Sequence, residues 1–208
     1  MEKVLATYAL PYDPLYPVLC FDERPCYLIE QSLAPVAMKP GRVRREDYHY
    51  SVKASCCVLL AVEPLTGKRW ARLYDHRRRQ EYTEFMQHLN AQFPQAKKIK
   101  LVQDNLNTHT PGSFYACLEP KQAFALAERF ETIYTPKHAS WLNMAELEFS
   151  ALSKQCLDRR IAERDTLERE LDAWLDARNQ AQIKLDWQFS KEDARETFRR
   201  AYSDIEVS

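Results

Sequence analysis

The chain has 208 residues, 45% of them hydrophobic and 29% charged, and its 30 basic and 30 acidic side chains cancel to a formal net charge of zero. That length and mixture suit one globular domain, or one with a small appendage, able to bury a substantial core. Electrical neutrality counts against a nucleic-acid partner, which normally leaves a basic footprint, although an acidic metal centre would offset basic residues used elsewhere.

Other classes drop out quickly. No run of about 18 apolar residues is present to span a membrane, and the start Met-Glu-Lys-Val-Leu lacks the form of a signal peptide. The default address is the cytoplasm. The three glycines, Gly41, Gly67 and Gly112, cannot build a Gly-rich phosphate loop or dinucleotide fingerprint. The six cysteines, Cys20, Cys26, Cys56, Cys57, Cys117 and Cys156, form no C-x-x-C and no zinc-type spacing. Most sit in apolar runs, where a thiol behaves as a small buried hydrophobe.

Residues 1–16 hold Pro11, Pro14, Tyr8, Tyr12 and Tyr16 and read as an extended lead-in. Pro17-Val-Leu-Cys-Phe21 is an apolar run that predicts a buried strand ending in Asp22. Residues 30–50, rich in proline and charge, read as a long loop or insertion. Ser55 to Val62, the turn Pro64-Leu-Thr-Gly67 and the alternating Arg69 to Tyr74 predict a hairpin. Tyr82, Phe85, Met86, Leu89 and Phe93 recur at helical spacing over 79–93, and Pro94 ends that helix. Lys98 to Gln103 is the next strand, followed by Asp104. Residues 113–130 are mainly helical with an interruption near Pro120, and Phe130 to Tyr134 is a further strand stopped by Thr135-Pro136. A helix over Trp141 to Leu157 follows. Asp165-Thr-Leu-Glu168 and Ser190-Lys-Glu-Asp193 have the form of capping boxes opening two more helices.

This order predicts an α/β fold, a mixed sheet flanked by helices, with a helical C-terminal extension. The divisions are a lead-in over 1–16, an α/β domain over 17–157 and a helical extension over 158–208, which would either support a dimer or cover the sheet.

Two aspartates, Asp22 and Asp104, each follow a predicted strand, where a rigid backbone can fix a carboxylate. Converging carboxylates repel unless a cation or a proton lies between them, and a hard divalent ion with a preference for oxygen resolves the repulsion. A third ligand could come from Glu146 or Glu148. Both flank the apolar stripe Leu142, Ala145, Phe149, Leu152 and Cys156 on opposite sides, so periodicity does not choose between them.

The segment Val102-Gln-Asp-Asn-Leu-Asn-Thr-His109 resembles the second-aspartate motif of mariner-type transposases, Asp-Asn-x-x-x-His after a strand. Thr135-Pro-Lys-His-Ala-Ser-Trp-Leu-Asn-Met-Ala-Glu146 resembles their third motif, a proline turn leading to Leu-Asn-x-x-Glu, and Phe21-Asp-Glu23 resembles the first. The likeness is to bacterial insertion-sequence members and runs through Trp187 to Arg195, nearly the whole chain. It implies a ribonuclease H-like fold with a five-stranded mixed sheet and selects Glu146 over Glu148. It further implies that Asp22, Asp104 and Glu146 hold two divalent ions, Mg²⁺ or Mn²⁺, for cutting DNA at element ends and joining them to target DNA. Asn105, His109, Lys137, His138, Trp141 and Asn143 are secondary candidates for orienting ligands or touching DNA. Arg42, Arg44 and Arg45, Arg77-Arg78-Arg79 and Arg159-Arg160 are candidate phosphate contacts.

The interval from Asp104 to Glu146 is longer than in many mariner relatives. Members usually carry an N-terminal helix-turn-helix region, so the resemblance implies a split-frame product, a fragment or a truncated remnant, with element ends recognised from elsewhere, as by a separate helix-turn-helix polypeptide. A homodimer is expected, since two element ends are processed together. The alternative expectation is a truncated, non-catalytic remnant that binds DNA or a full-length transposase.

Overall fold

The computed structural model describes residues 1–31, 41 and 50–200. Five strands, β1 (Val18–Gln31), β2 (Tyr50–Glu63), β3 (Lys68–Tyr74), β4 (Ile99–Gln103) and β5 (Phe130–Tyr134), form one sheet in the order β3-β2-β1-β4-β5. The β1–β2 and β2–β3 pairs are antiparallel, whereas β1–β4 and β4–β5 are parallel. The expected mixed sheet is therefore present. A tight turn joins β2 to β3, and helices carry the chain from β4 to its parallel partner β5.

Alternation along the strands sends apolar side chains to both faces. Leu19 and Phe21 of β1, Leu59 of β2 and Leu101 of β4 meet Tyr82, Phe85, Met86 and Leu89 of α2 (Arg79–Gln92). The same layer holds Phe114 of α3 (Pro111–Cys117), with Ala123 and Leu126 of α4 (Pro120–Arg129). On the other face Cys20, Leu60, Val102 and Ile133 meet Leu142, Ala145, Phe149 and Leu152 around α5 (Ala145–Gln155). Leu171, Trp174 and Leu175 of α6 (Arg164–Gln180) and Ala194 of α7 (Lys191–Thr197) complete that layer. Burial of such side chains from both sides of a sheet is the main stabilising contribution.

Several expectations need correction. The lead-in is not wholly extended: Glu2–Tyr8 form α1, whose Val4 and Leu5 enter the core. The first strand does not end at Asp22 but runs to Gln31, because β2 is equally long and pairs with it as far as Tyr50. Most of the expected loop, including Arg42, Arg44 and Arg45, lies outside the described residues. The helix predicted from Trp141 is broken into a 3₁₀ turn, Ser140–Leu142, and α5. Asp165 opens no capping box: Glu163 is the N-cap of α6, and Arg164 pairs with Asp75 and Glu168. The box at Ser190 and Asp193 does form. Five of the six cysteines are buried as free thiols, and Cys117 is exposed.

The helical extension packs onto the sheet. Asn179 of α6 accepts from Arg69 N–H at 2.8 Å and donates to Arg69 C=O at 3.0 Å, and Arg164 donates to the Leu73 carbonyl. The β2–β3 turn is held by the segment after α6, with Leu185 N–H donating to the Pro64 carbonyl at 3.0 Å. Gly67 is left-handed at φ +74°, and a Cβ added there would lie 2.7 Å from the Gln182 carbonyl carbon. Gly67→Ala is expected to lower unfolding stability by more than about 1 kcal/mol, from the left-handed penalty plus this clash. An unchanged denaturant midpoint would mean that the turn is not docked on residue 182.

Candidate active site

The parallel β1–β4 ladder ends at the Cys20–Val102 pair. Asp22 and Asp104 each lie two residues beyond it, so adjacent strands carry the two carboxylates to the same level of the sheet. Asp22 is partly buried and accepts from Glu23 N–H at 2.8 Å. Burial pushes its carboxyl up to about 7. The Glu23 N–H opposes that shift, while the charges of Glu146 and Asp104 reinforce it. Each carboxylate is thus close enough to make ionisation of Asp22 costly.

Asp104 has the opposite environment. Partial burial acts to raise its carboxyl, but its hydrogen bond with His109 Nδ1 outweighs this and holds it below the usual range. His109 is fully buried, stacked on Tyr82 at 5.0 Å between ring centres and edge-on to Phe21 at 5.1 Å. Its Nε2 lies 3.4 Å from Glu23 Oε2 but lacks hydrogen-bond geometry. Burial alone would depress the imidazole; Asp104 and Glu23 lift it to about 9. The His109 carbonyl accepts from Gln103 and Tyr134, which fixes the loop after β4. His109 therefore orients Asp104 from behind and does not face solvent.

Asn143 connects the third segment to the first. It is buried, and its Nδ2 donates to the Phe21 carbonyl at 2.8 Å and approaches Asp22 Oδ2 at 3.3 Å. Its Oδ1 accepts from Ala145 N–H at 3.2 Å, at the start of α5. One side chain thus ties β1 to the helix bearing Glu146.

The structure separates the two glutamates that periodicity left equivalent. Glu146 is exposed at the first turn of α5. Glu148 has no solvent exposure and makes paired contacts with two arginines, Arg69 at 2.5 and 2.8 Å and Arg178 at 2.9 and 3.0 Å. Burial would raise its carboxyl, but the two guanidinium groups hold it below the ordinary range. Glu148 is a structural anion.

Asn105, Lys137 and His138 are exposed, and Trp141 is half-exposed beside the turn. Among the basic clusters, Arg77 pairs with Glu23 at 3.2 Å, Arg159 pairs with Glu170, and Arg160 lies over the Tyr50 ring. Sequence reasoning did not single out Glu23, Tyr82, Gln103 or Tyr134, which frame His109. Glu23 was visible in the first motif, but no local pattern pointed to the others. Among the described residues, no three His, Cys, Asp or Glu side chains are gathered tightly enough to grip a metal ion as they stand.

The architecture is that of the ribonuclease H-like fold seen in Mos1 mariner transposase. The Mos1 strand transfer complex matches with a TM-score of 0.59 at 14% identity, over 88% of this chain and 54% of that one. The Mos1 paired end complex with Mn gives 0.56 at 13%, over 81% and 52%. A pre-cleavage Mos1 transpososome gives 0.57 at 12%, over 88% and 59%. This chain thus spans little more than half the length of the Mos1 chains, and at such identities the likeness is one of fold. No curated protein is similar in sequence. The DDE superfamily endonuclease family model matches residues 17–168, and the chain belongs to that family.

Glu148→Ala is expected to cost about 3–5 kcal/mol, since two guanidinium groups lose their buried partner. Glu146→Ala should stay within about 0.5 kcal/mol of the parent. Denaturant unfolding of both variants checks the division, and equal losses would refute it.

Proposed function

We propose that the chain is the catalytic domain of a DNA transposase that cuts element ends and joins them to target DNA, with Asp22, Asp104 and Glu146 as metal-binding residues. The observation that carries this reading is the alignment of Asp22 and Asp104 on adjacent parallel strands, with the Glu146 helix tied to the same point through Asn143. Membership of the DDE superfamily endonucleases and a fold shared with Mos1 support it.

The donor set suits a hard divalent cation. All three side chains offer carboxylate oxygens, and Asp22 is the group whose ionisation a nearby positive charge would most relieve. Glu146 is exposed at the start of its helix, so its side chain can turn toward Asp22 to complete the set. Mos1 has been crystallised with Mn and with Mg, and we assign two such ions to this site. When bound, they would neutralise the scissile phosphate and favour both the attacking and the leaving oxygen of an in-line displacement. The chain's own residues supply position. His109 keeps the Asp104 carboxylate ionised and aimed, while Asn143 holds Asp22 and α5 together.

DNA is the substrate in this reading, and the nucleophile is water in the cutting step and a DNA 3′-OH in the joining step. Two copies acting on paired ends belong to the same proposal, as does end recognition by a helix-turn-helix polypeptide. Among the described residues no helix is long and apolar enough to cross a membrane.

Mg²⁺- or Mn²⁺-dependent nicking of DNA is expected, abolished by chelation and by Asp104→Asn with the unfolding midpoint retained. Nicking that survives Asp104→Asn would reject the site, and DNA binding without nicking in any divalent metal would favour a non-catalytic remnant. His109→Ala should raise the Mg²⁺ concentration for half-maximal nicking by about 10- to 100-fold, as loss of a group supporting a metal ligand does. An unchanged metal requirement would remove His109 from the machinery.

A further inference from the structure

Trp141 is 46% exposed although it belongs to a cluster of aromatic rings. Its indole lies nearly parallel to Trp187 at 6.4 Å, edge-on to Phe189 at 5.6 Å and tilted to Phe198 at 6.3 Å. Trp187 is itself fixed by a hydrogen bond from Nε1 to the Phe189 carbonyl at 2.8 Å. These neighbours hold the indole in place while leaving much of it in water. A large aromatic surface held in place by its neighbours and left partly in water is available to stack on a ligand.

Its surroundings narrow the choice of ligand. Lys137 and His138 are exposed in the same turn, and His138 has a left-handed backbone at φ 63°, a conformation that favours glycine. Strained backbone of this kind clusters at functional sites. Trp141 precedes Asn143 by two residues, which limits their Cα separation to about 7 Å. Asn143 Nδ2 is in turn 3.3 Å from Asp22 Oδ2. The turn that carries the indole therefore lies near the acidic centre in the chain, where a flat ring can hold a ligand without adding charge. A base paired in a duplex has both faces covered by its neighbours, but an unpaired base has a face to offer.

We propose that the Pro136–Trp141 turn is a stacking platform for an unpaired nucleobase at the DNA end being processed, with the Trp141 indole as its contact surface and Lys137 beside the backbone. The inference rests on the DNA-cutting reading above and adds the state of the DNA that the site prefers. Stacking is tolerant of sequence, because every base has a π-face, so the platform would select for an open strand and not for a particular base.

The test measures binding of the whole chain, in EDTA, to a duplex bearing a short single-stranded end that carries 2-aminopurine, and to a blunt duplex of the same sequence. The open end should bind more tightly, and its 2-aminopurine should be quenched. Trp141→Ala should weaken binding to the open end by about 10-fold while leaving the blunt duplex unchanged, and Trp141→Phe should keep most of the preference. An abasic residue at the unpaired position should weaken wild-type binding by a similar factor and leave Trp141→Ala unaffected, a comparison that does not depend on how well the variant folds. Equal binding of both duplexes by the wild type, or equal weakening of both by Trp141→Ala, would overturn the inference and leave the DNA reading intact. Absence of binding to either duplex would overturn the DNA reading itself.

Discussion

The parallel pairing of β1 with β4 is the constraint on which the acidic centre depends. Two carboxylates 82 positions apart in sequence, Asp22 and Asp104, are brought level because the Cys20–Val102 pair fixes the register of the strands that carry them. A one-residue slip would turn Asp22 toward the opposite face, into the layer of Phe21 and Leu19. The apolar alternation that buries both sheet faces therefore also sets the geometry of the charges. The cost is visible at Asp22, whose carboxyl is pushed up by burial and by its acidic neighbours.

Two glutamates two positions apart in sequence take on unlike tasks. Glu148 is fully enclosed by Arg69 of β3 and Arg178 of α6, so three separate elements converge on one anion. Such a cluster is costly to desolvate and adds little net stability over an apolar core, but it admits few alternative arrangements. It fixes the rotation of α5 and thereby decides that Glu146 leaves the helix at its exposed start. Asn143 performs the matching task at the other end of the same junction, by bonding to the Phe21 carbonyl, Asp22 and Ala145 N–H.

Much of the fold was legible because its signals are local and periodic. The hairpin of β2 and β3, the helix over 79–92 and the strands of β4 and β5 follow from runs and turns of a few residues. Asp22 was misread as a strand terminus because Glu23, Arg24 and Pro25 break the apolar run. The strand continues past them because β2 supplies hydrogen bonds and a partner surface that sequence does not reveal. The helix at Glu2–Tyr8 was hidden by the prolines that follow it, and α5 starts late because the side chain of Asn143 bonds the N–H of Ala145. At the site, the choice of Glu146 came from resemblance and not from periodicity. The reason Glu148 is otherwise engaged lies in arginines 79 positions before it and 30 after it. The frame around His109 was illegible for the same reason, since Tyr82, Gln103 and Tyr134 reach it from three elements.

The Asn179 amide satisfies both outward backbone groups of Arg69, and Arg164 takes the carbonyl of Leu73. β3 is the terminal strand on its side of the sheet, and a bare terminal strand is a template on which another chain can grow. Here side chains from α6 stand where a sixth strand would have to form its first bonds. A second copy would thus be discouraged from extending the sheet across this edge.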